Sequence, residues 1–171
     1  MAKIAVIIED LFEDSEYEEP VKAFKASGHD ITRVGLEEGA TVKGKKEGTE
    51  AKIDKALEGA SAEEFDALLI PGGYSPDRLR AHPDAVNFAR KFMEDKKPVF
   101  SICHGAQLLI TADTLRGRKA TGWKSIAQDI KNAGAEYRDS EVVVDGNLVT
   151  SRSPRDLKAF IRESLAKLDN I

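Results

Sequence analysis

Short apolar runs alternate with longer amphipathic ones along this chain. The run KIAVIIE at 3–9 is rich in β-branched residues and has no polar alternation, the pattern of a strand buried on both faces. SEYEEPVKAFKASG at 15–28 predicts a helix closed by Gly28, with Pro20 near its first turns, where a missing N–H is tolerated. DITRVGL at 30–36 predicts a second strand, and the polar, glycine-containing segment 37–50 an exposed loop or hairpin. FDALLIPGG at 65–73 predicts a strand ending in a turn. PDAVNFARKFMEDKK at 83–97 predicts an amphipathic helix opened by proline. PVFSI at 98–102 predicts another buried strand, followed by helices at 104–115 and 125–134, the latter closed by Gly134. EVVVDGNLVTS at 141–151 predicts a hairpin turning at Asp145-Gly146. The last helix, at 153–168, has Ser153 as its expected cap and Pro154 at its first position.

Strands that alternate with helices and are apolar on both faces imply an α/β fold, with a mostly parallel sheet covered by helices on both sides. At 171 residues, with no repeat, linker or low-complexity tract, one domain over 1–171 is expected. Ligands of such sheets bind at the carboxyl ends of the strands. Three segments fall there: EDLFED at 9–14, PGGYSPD at 71–77 and CHG at 103–105.

Composition narrows the function classes. A net charge of −4 with scattered basic residues argues against nucleic-acid binding. The short cluster KGKK at 43–46 reads as a solvated turn. No apolar run approaches the roughly 20 residues of a membrane helix, and the N-terminus lacks the shape of a signal peptide, so a cytoplasmic location is expected. One cysteine, Cys103, can form neither an internal disulfide nor a cysteine-based metal site. His29, His82 and His104 have no ligand-type spacing, and neither metal nor cofactor is expected. His29 and His82 lie in turn-like contexts that suit surface roles.

The chemistry therefore centres on Cys103. Ser101-Ile102-Cys103-His104-Gly105 has the small-x-nucleophile-x-Gly shape of a nucleophile elbow, a sharp strand-to-helix turn that holds the nucleophile in a strained conformation. A thiol at a helix start gains thiolate character from unpaired N–H groups, which also suit a developing oxyanion. His104 is the candidate base. Sequence neighbours on a helix do not face each other, so it reaches the thiol only through the turn. Glu13 and Asp77, after the first and third strands, are the candidate carboxylates.

Taken together, FEDSEYEEP, FDALLIPGGYSPDRLR, KPVFSICHGAQLLI, LRGRKATGW, IKNAGAEY and EVVVDGNLVTSRSPRDLKAFIRESL resemble segments of the ThiJ/PfpI family, in the family's order and across nearly the whole chain. The similarity is to the PfpI-type intracellular peptidase and general-stress branch. It implies a flavodoxin-like three-layer sandwich. It also implies Cys103 as nucleophile with His104 beside it, Glu13 contacting the thiol, and Asp77 orienting the histidine of a neighbouring subunit. The oxyanion hole would use the N–H groups of Gly73 and His104, in a homodimer or hexamer. Departures from the pattern are Asp77, where some relatives have glutamate and so a longer reach, and Ala106, where many have proline. Trp123 is expected to line the pocket mouth or to sit in the core.

Three functions follow from the resemblance. The first is a cofactor-free, glyoxalase- or deglycase-like enzyme acting on reactive dicarbonyls or early glycation adducts through Cys103. The second is a cysteine peptidase with a Cys103-His104-Asp77 triad completed across subunits. The third, non-enzymatic, is a redox sensor or chaperone.

Overall fold

The computed structural model describes all residues, 1–171. The strands, in chain order, are β1 (Lys3–Ile7), β2 (Asp30–Gly35), β3 (Thr41–Lys43), β4 (Glu50–Lys52), β5 (Lys55–Ala56), β6 (Ala67–Ile70), β7 (Val99–Ile102), β8 (Lys119–Ala120), β9 (Glu136–Tyr137), β10 (Val143–Asp145) and β11 (Leu148–Ser151). The helices are α1 (Asp14–Ala26), α2 (Ser75–Leu79), α3 (Pro83–Glu94), α4 (Ala106–Thr111), α5 (Ala127–Asn132) and α6 (Leu157–Leu168).

Seven strands form the central sheet in the order β10-β11-β7-β6-β1-β2-β5. Every neighbouring pair is parallel except the β10–β11 hairpin at one edge. Strand side chains alternate between two cores. Ala5 and Ile7 face a cluster with α3, α4 and α5, while Ile4, Val6 and Ile8 face one with α1 and α6. That two-sided burial is why the strands read as unbroken apolar runs. No helix is long and apolar enough to cross a membrane.

The expected elements are present with local corrections. Pro20 is the seventh residue of α1, at the end of its second turn, because the helix starts at Asp14, one residue earlier than expected. The polar segment forms the β3–β4 hairpin. In the edge hairpin Asp145 pairs with Leu148, so the turn is Gly146-Asn147, one residue later than expected, with Gly146 at φ +56°. Ser153 makes no side-chain cap, because a 3-10 turn at Pro154–Asp156 precedes α6.

Candidate active site

β7 ends at Ile102, and the chain passes through a 3-10 turn, Cys103–Gly105, into α4. Cys103 sits at φ +61°, the left-handed region that costs a non-glycine residue on the order of 1–2 kcal/mol. This turn lets His104 reach back: its Nδ1 lies 3.4 Å from Cys103 Sγ. The backbone N–H groups of His104 and Gly73 donate toward the sulfur and favour its thiolate. Burial works the other way and pushes the thiol well above its ordinary pKa, an effect that the Glu16 charge adds to once Glu16 is ionised.

Gly73 comes from the loop after β6 and is held at φ +79° by an antiparallel bridge to Phe12. Its neighbour Gly72 lies between two side chains. A Cβ there would collide with Glu16 Oε1 and come within 2.9 Å of Cys103 Cβ. Only glycine lets the thiol and this carboxyl group come together.

Glu16 is therefore the carboxyl group beside the thiol, and it corrects the expectation for Glu13. α1 starts directly after the Phe12 bridge, which directs position 16 inward along the buried stripe of Tyr17, Pro20, Val21 and Phe24. Glu16 is fully buried. Oε1 accepts the Gly72 N–H at 2.8 Å, and Oε2 has no hydrogen-bond partner. Desolvation, aided by the Glu13 charge and opposed by the Gly72 hydrogen bond, pushes its pKa up to about 8.

Glu13 is also buried but holds a different position. Its Oε2 lies 3.2 Å from Lys45 Nζ and its Oε1 3.0 Å from Lys46 Nζ. The KGKK segment is thus not simply a solvated turn, because the β3–β4 hairpin folds over the start of α1. Asp14 fastens it there, accepting the backbone N–H groups of Lys46 (2.9 Å), Glu47 (3.3 Å) and Thr49 (3.1 Å). Burial would raise the Asp14 pKa, but these donors hold it at about 2.

His104 is half-buried. Burial and the Lys45 charge lower its pKa, against the opposing charge of Asp77. Asp77 is exposed on α2 and paired with Arg80 at 3.1 Å, so it forms no triad with the His104 of its own chain. Trp123 is half-buried and packs at the core, the second of its two expected places. Its backbone N–H donates to Cys103 O at 3.1 Å, its ring centre is 6.4 Å from that of His104, and it packs against both cores. Ala106 is buried at the start of α4 without disturbing it. His29 accepts the Ala2 N–H through Nδ1 at 3.0 Å, a structural contact. His82 precedes α3 at its N-cap position. No group of three or more His, Cys, Asp or Glu side chains is disposed to hold a metal ion.

The model of the DJ-1/PfpI family matches residues 2–167. The chain belongs to this family. It is 57% identical over 168 residues to general stress protein 18 of Bacillus subtilis (strain 168), covering 98% of each chain. It is 54% identical to protein/nucleic acid deglycase 2 of Escherichia coli (strain K12), covering 97% of each. Among solved structures, the DJ-1/ThiJ/PfpI-like and ferritin-like two-domain protein of Anabaena variabilis ATCC 29413 superposes with a TM-score of 0.96 at 42% identity. That match covers 99% of this chain, which spans 48% of the longer two-domain chain. Schizosaccharomyces pombe DJ-1 superposes with a TM-score of 0.86 at 25% identity, covering 96% of this chain and 90% of that one.

Two residues at this family site, Glu16 and Lys45, escape a reading of sequence motifs. Glu16 had a signal: it is a carboxylate in register with the apolar stripe of its helix. Lys45 had none, because a hairpin folds it into place from a separate part of the chain.

Proposed function

We propose that this protein is a cysteine-dependent stress-protection enzyme that acts on reactive dicarbonyls or early glycation adducts. The observation that carries this reading is the fully buried Glu16, one oxygen unpartnered, beside a thiol that His104 Nδ1 approaches at 3.4 Å. The deglycase name of the Escherichia coli relative and the stress-protein name of the Bacillus relative support it.

The proposed steps are these. Cys103 Sγ attacks the aldehyde carbon as its proton passes to the neutral His104 Nδ1. The carbonyl π pair moves onto oxygen, which the Gly73 and His104 N–H groups stabilise. His104 then returns the proton to that oxygen, giving a hemithioacetal. Ionised Glu16 removes the proton from the former aldehyde carbon, whose electron pair forms the C=C bond of an enediolate as the neighbouring carbonyl pair moves onto its oxygen; Glu16 then returns that proton to the neighbouring carbon while the hemithioacetal hydroxyl proton passes by way of His104 to the neighbouring oxygen, leaving a 2-hydroxy thioester. Water cleaves the thioester, releasing the 2-hydroxy acid and restoring the thiol. A carboxylate with its pKa near 8 is a base matched to this proton removal. The role expected of Glu13 passes to Glu16.

Methylglyoxal consumption with lactate as product, measured without added thiol or metal, tests this reading. Wild type should turn over, and Cys103→Ala should lose at least about 10³-fold in rate. Turnover that persists in Cys103→Ala overturns it.

A second reading is peptide hydrolysis, favoured by the effect of Asp77 on His104 across the protein surface. Because Asp77 is exposed and paired with Arg80, this reading requires a second subunit, in a homodimer or hexamer, to supply the third member of the triad. Peptidase activity that tracks the assembled state and fails in Asp77→Ala would establish it.

A further inference from the structure

We infer that Lys45 makes the mouth of the Cys103 site select anions, and that a carboxylate on a molecule bound beside the thiol, substrate or product, is held against the Lys45 ammonium. Lys45 is not a loose surface lysine. Leu11 N–H donates to Lys43 O at 2.8 Å, Lys45 N–H donates to Phe12 O at 2.9 Å, and Lys43 N–H donates to Asp10 Oδ1 at 2.9 Å. The same Phe12 bridges Gly73, so one stretch of backbone sets the lysine and the oxyanion donor side by side. Its Nζ is 3.2 Å from Glu13 Oε2 and stands 5.4 Å from the ring centre of Tyr74, which is 60% exposed.

The carboxylate beside Lys45 is Glu13, which also meets Lys46; Lys46 has the Asp14 carboxylate beside it as well, and Asp77 and Arg80 pair with each other. Glu16 and His104 are uncharged when the site is at rest near neutral pH, so no charge at the floor of the site offsets Lys45. Lys45 uses one donor on Glu13 and has others to offer. Glu16 Oε2, in the same site, is buried without a hydrogen-bond partner. As an account of turnover this inference rests on the dicarbonyl reading, whose 2-hydroxy acid product is itself a carboxylate. As a statement about the mouth it rests on geometry alone.

Cys103 is the only cysteine, so its alkylation in the intact protein reports on this site alone. In both reactions the sulfur forms a bond to carbon and iodide leaves, but iodoacetate is anionic and iodoacetamide neutral. The ratio of their rates should exceed that of a neutral small thiol, N-acetylcysteine amide, by about fivefold at low salt. Raising the salt should shrink that excess. Lys45→Met should lower the ratio by about fivefold, and Lys45→Arg should keep it. Lactate should slow iodoacetamide in wild type and not in Lys45→Met. A wild-type ratio equal to that of the small thiol, a ratio unchanged in Lys45→Met, or no protection by lactate overturns the inference. The salt titration uses wild type alone and stands even if a variant misfolds. The ratio is readable whether or not methylglyoxal is turned over, so failure of the dicarbonyl reading is a separate result.

Discussion

Glu13 and Glu16 lie three residues apart at the start of α1, both buried, yet the protein treats them oppositely. Glu13, at the mouth of the site, has an ammonium group on each oxygen. Glu16, at the floor, has one backbone N–H, one bare oxygen and a thiol. The difference shows that burial alone does not set a carboxyl group's role; the partners brought by other segments do. The β3–β4 hairpin supplies cations to one, and the glycine turn after β6 supplies a single dipole to the other. The mouth holds fixed charge, and the floor holds a proton that can be lost near neutral pH.

The largest effect expected from breaking this contrast is at the floor. Glu16→Gln keeps the shape and the acceptor for Gly72 but cannot take a proton. Methylglyoxal turnover should drop by about 10²–10³-fold, mostly in kcat. The wild-type kcat should rise with pH and level off above about 8, and the variant should lose that inflection. Stability should move the opposite way. The folded-state pKa of Glu16 lies above the unfolded value of roughly 4.3, so between these pH values the folded state binds the extra proton, and wild-type stability falls as pH rises. Denaturant melts of Glu16→Gln from pH 5 to 9 should lack that decline and leave the variant more stable at pH 9 by on the order of 1–3 kcal/mol. Parallel stability curves for the two proteins would show that Glu16 is not held protonated by the fold.

The next effect is on the link between the two regions. Asp14 ties the hairpin to α1 through three backbone N–H groups, and Asp14→Ala leaves those donors unpaired. The expected cost is about 2–3 kcal/mol, or roughly 5–10 °C in Tm for a chain of this size. Because the folded-state pKa is depressed to about 2, the contribution of Asp14 is complete above the unfolded carboxylate pKa and is lost as pH falls toward 2. Wild type and variant should therefore converge in stability in strong acid.

Asp14 also shows where sequence reading reaches its limit. The sheet and its helices were legible because each strand is apolar on both faces and each helix carries a stripe, both local patterns. The elbow was legible because Cys103, His104 and Gly105 are contiguous. The carboxyl group beside the thiol was placed one turn too early. A motif reading locates FED after the strand, whereas the helical phase that buries Glu16 depends on where α1 starts, and that is fixed by the Phe12–Gly73 bridge. The lysines of KGKK looked solvated because their partner, Glu13, is about thirty residues away in sequence and joined to them only by the hairpin fold.

A smaller effect should follow at the mouth. Glu13→Gln removes the carboxylate that Lys45 and Lys46 share while keeping its volume. The local charge then becomes more positive by one, and the iodoacetate-to-iodoacetamide ratio at Cys103 should rise by about two- to fivefold. This direction is opposite to that expected for Lys45→Met. A fall in the ratio would mean that Glu13 chiefly positions Lys45 rather than offsetting it.

The smallest effect is expected at Asp77, where the carboxylate belongs to neither mouth nor floor within one chain. Its exposed pair with Arg80 contributes little, so Asp77→Ala should change stability by less than about 0.5 kcal/mol. Its charge favours the imidazolium of His104, so removing it should lower the His104 pKa further, a shift that NMR titration of the ring can follow. Lactate formation from methylglyoxal should stay within about twofold of wild type, because the neutral imidazole that accepts the thiol proton is already the resting form. A larger loss in lactate formation would place Asp77 in the working site, and if it came with a loss of peptide hydrolysis in the assembled protein, the triad across subunits would replace the buried Glu16 as the centre of the chemistry.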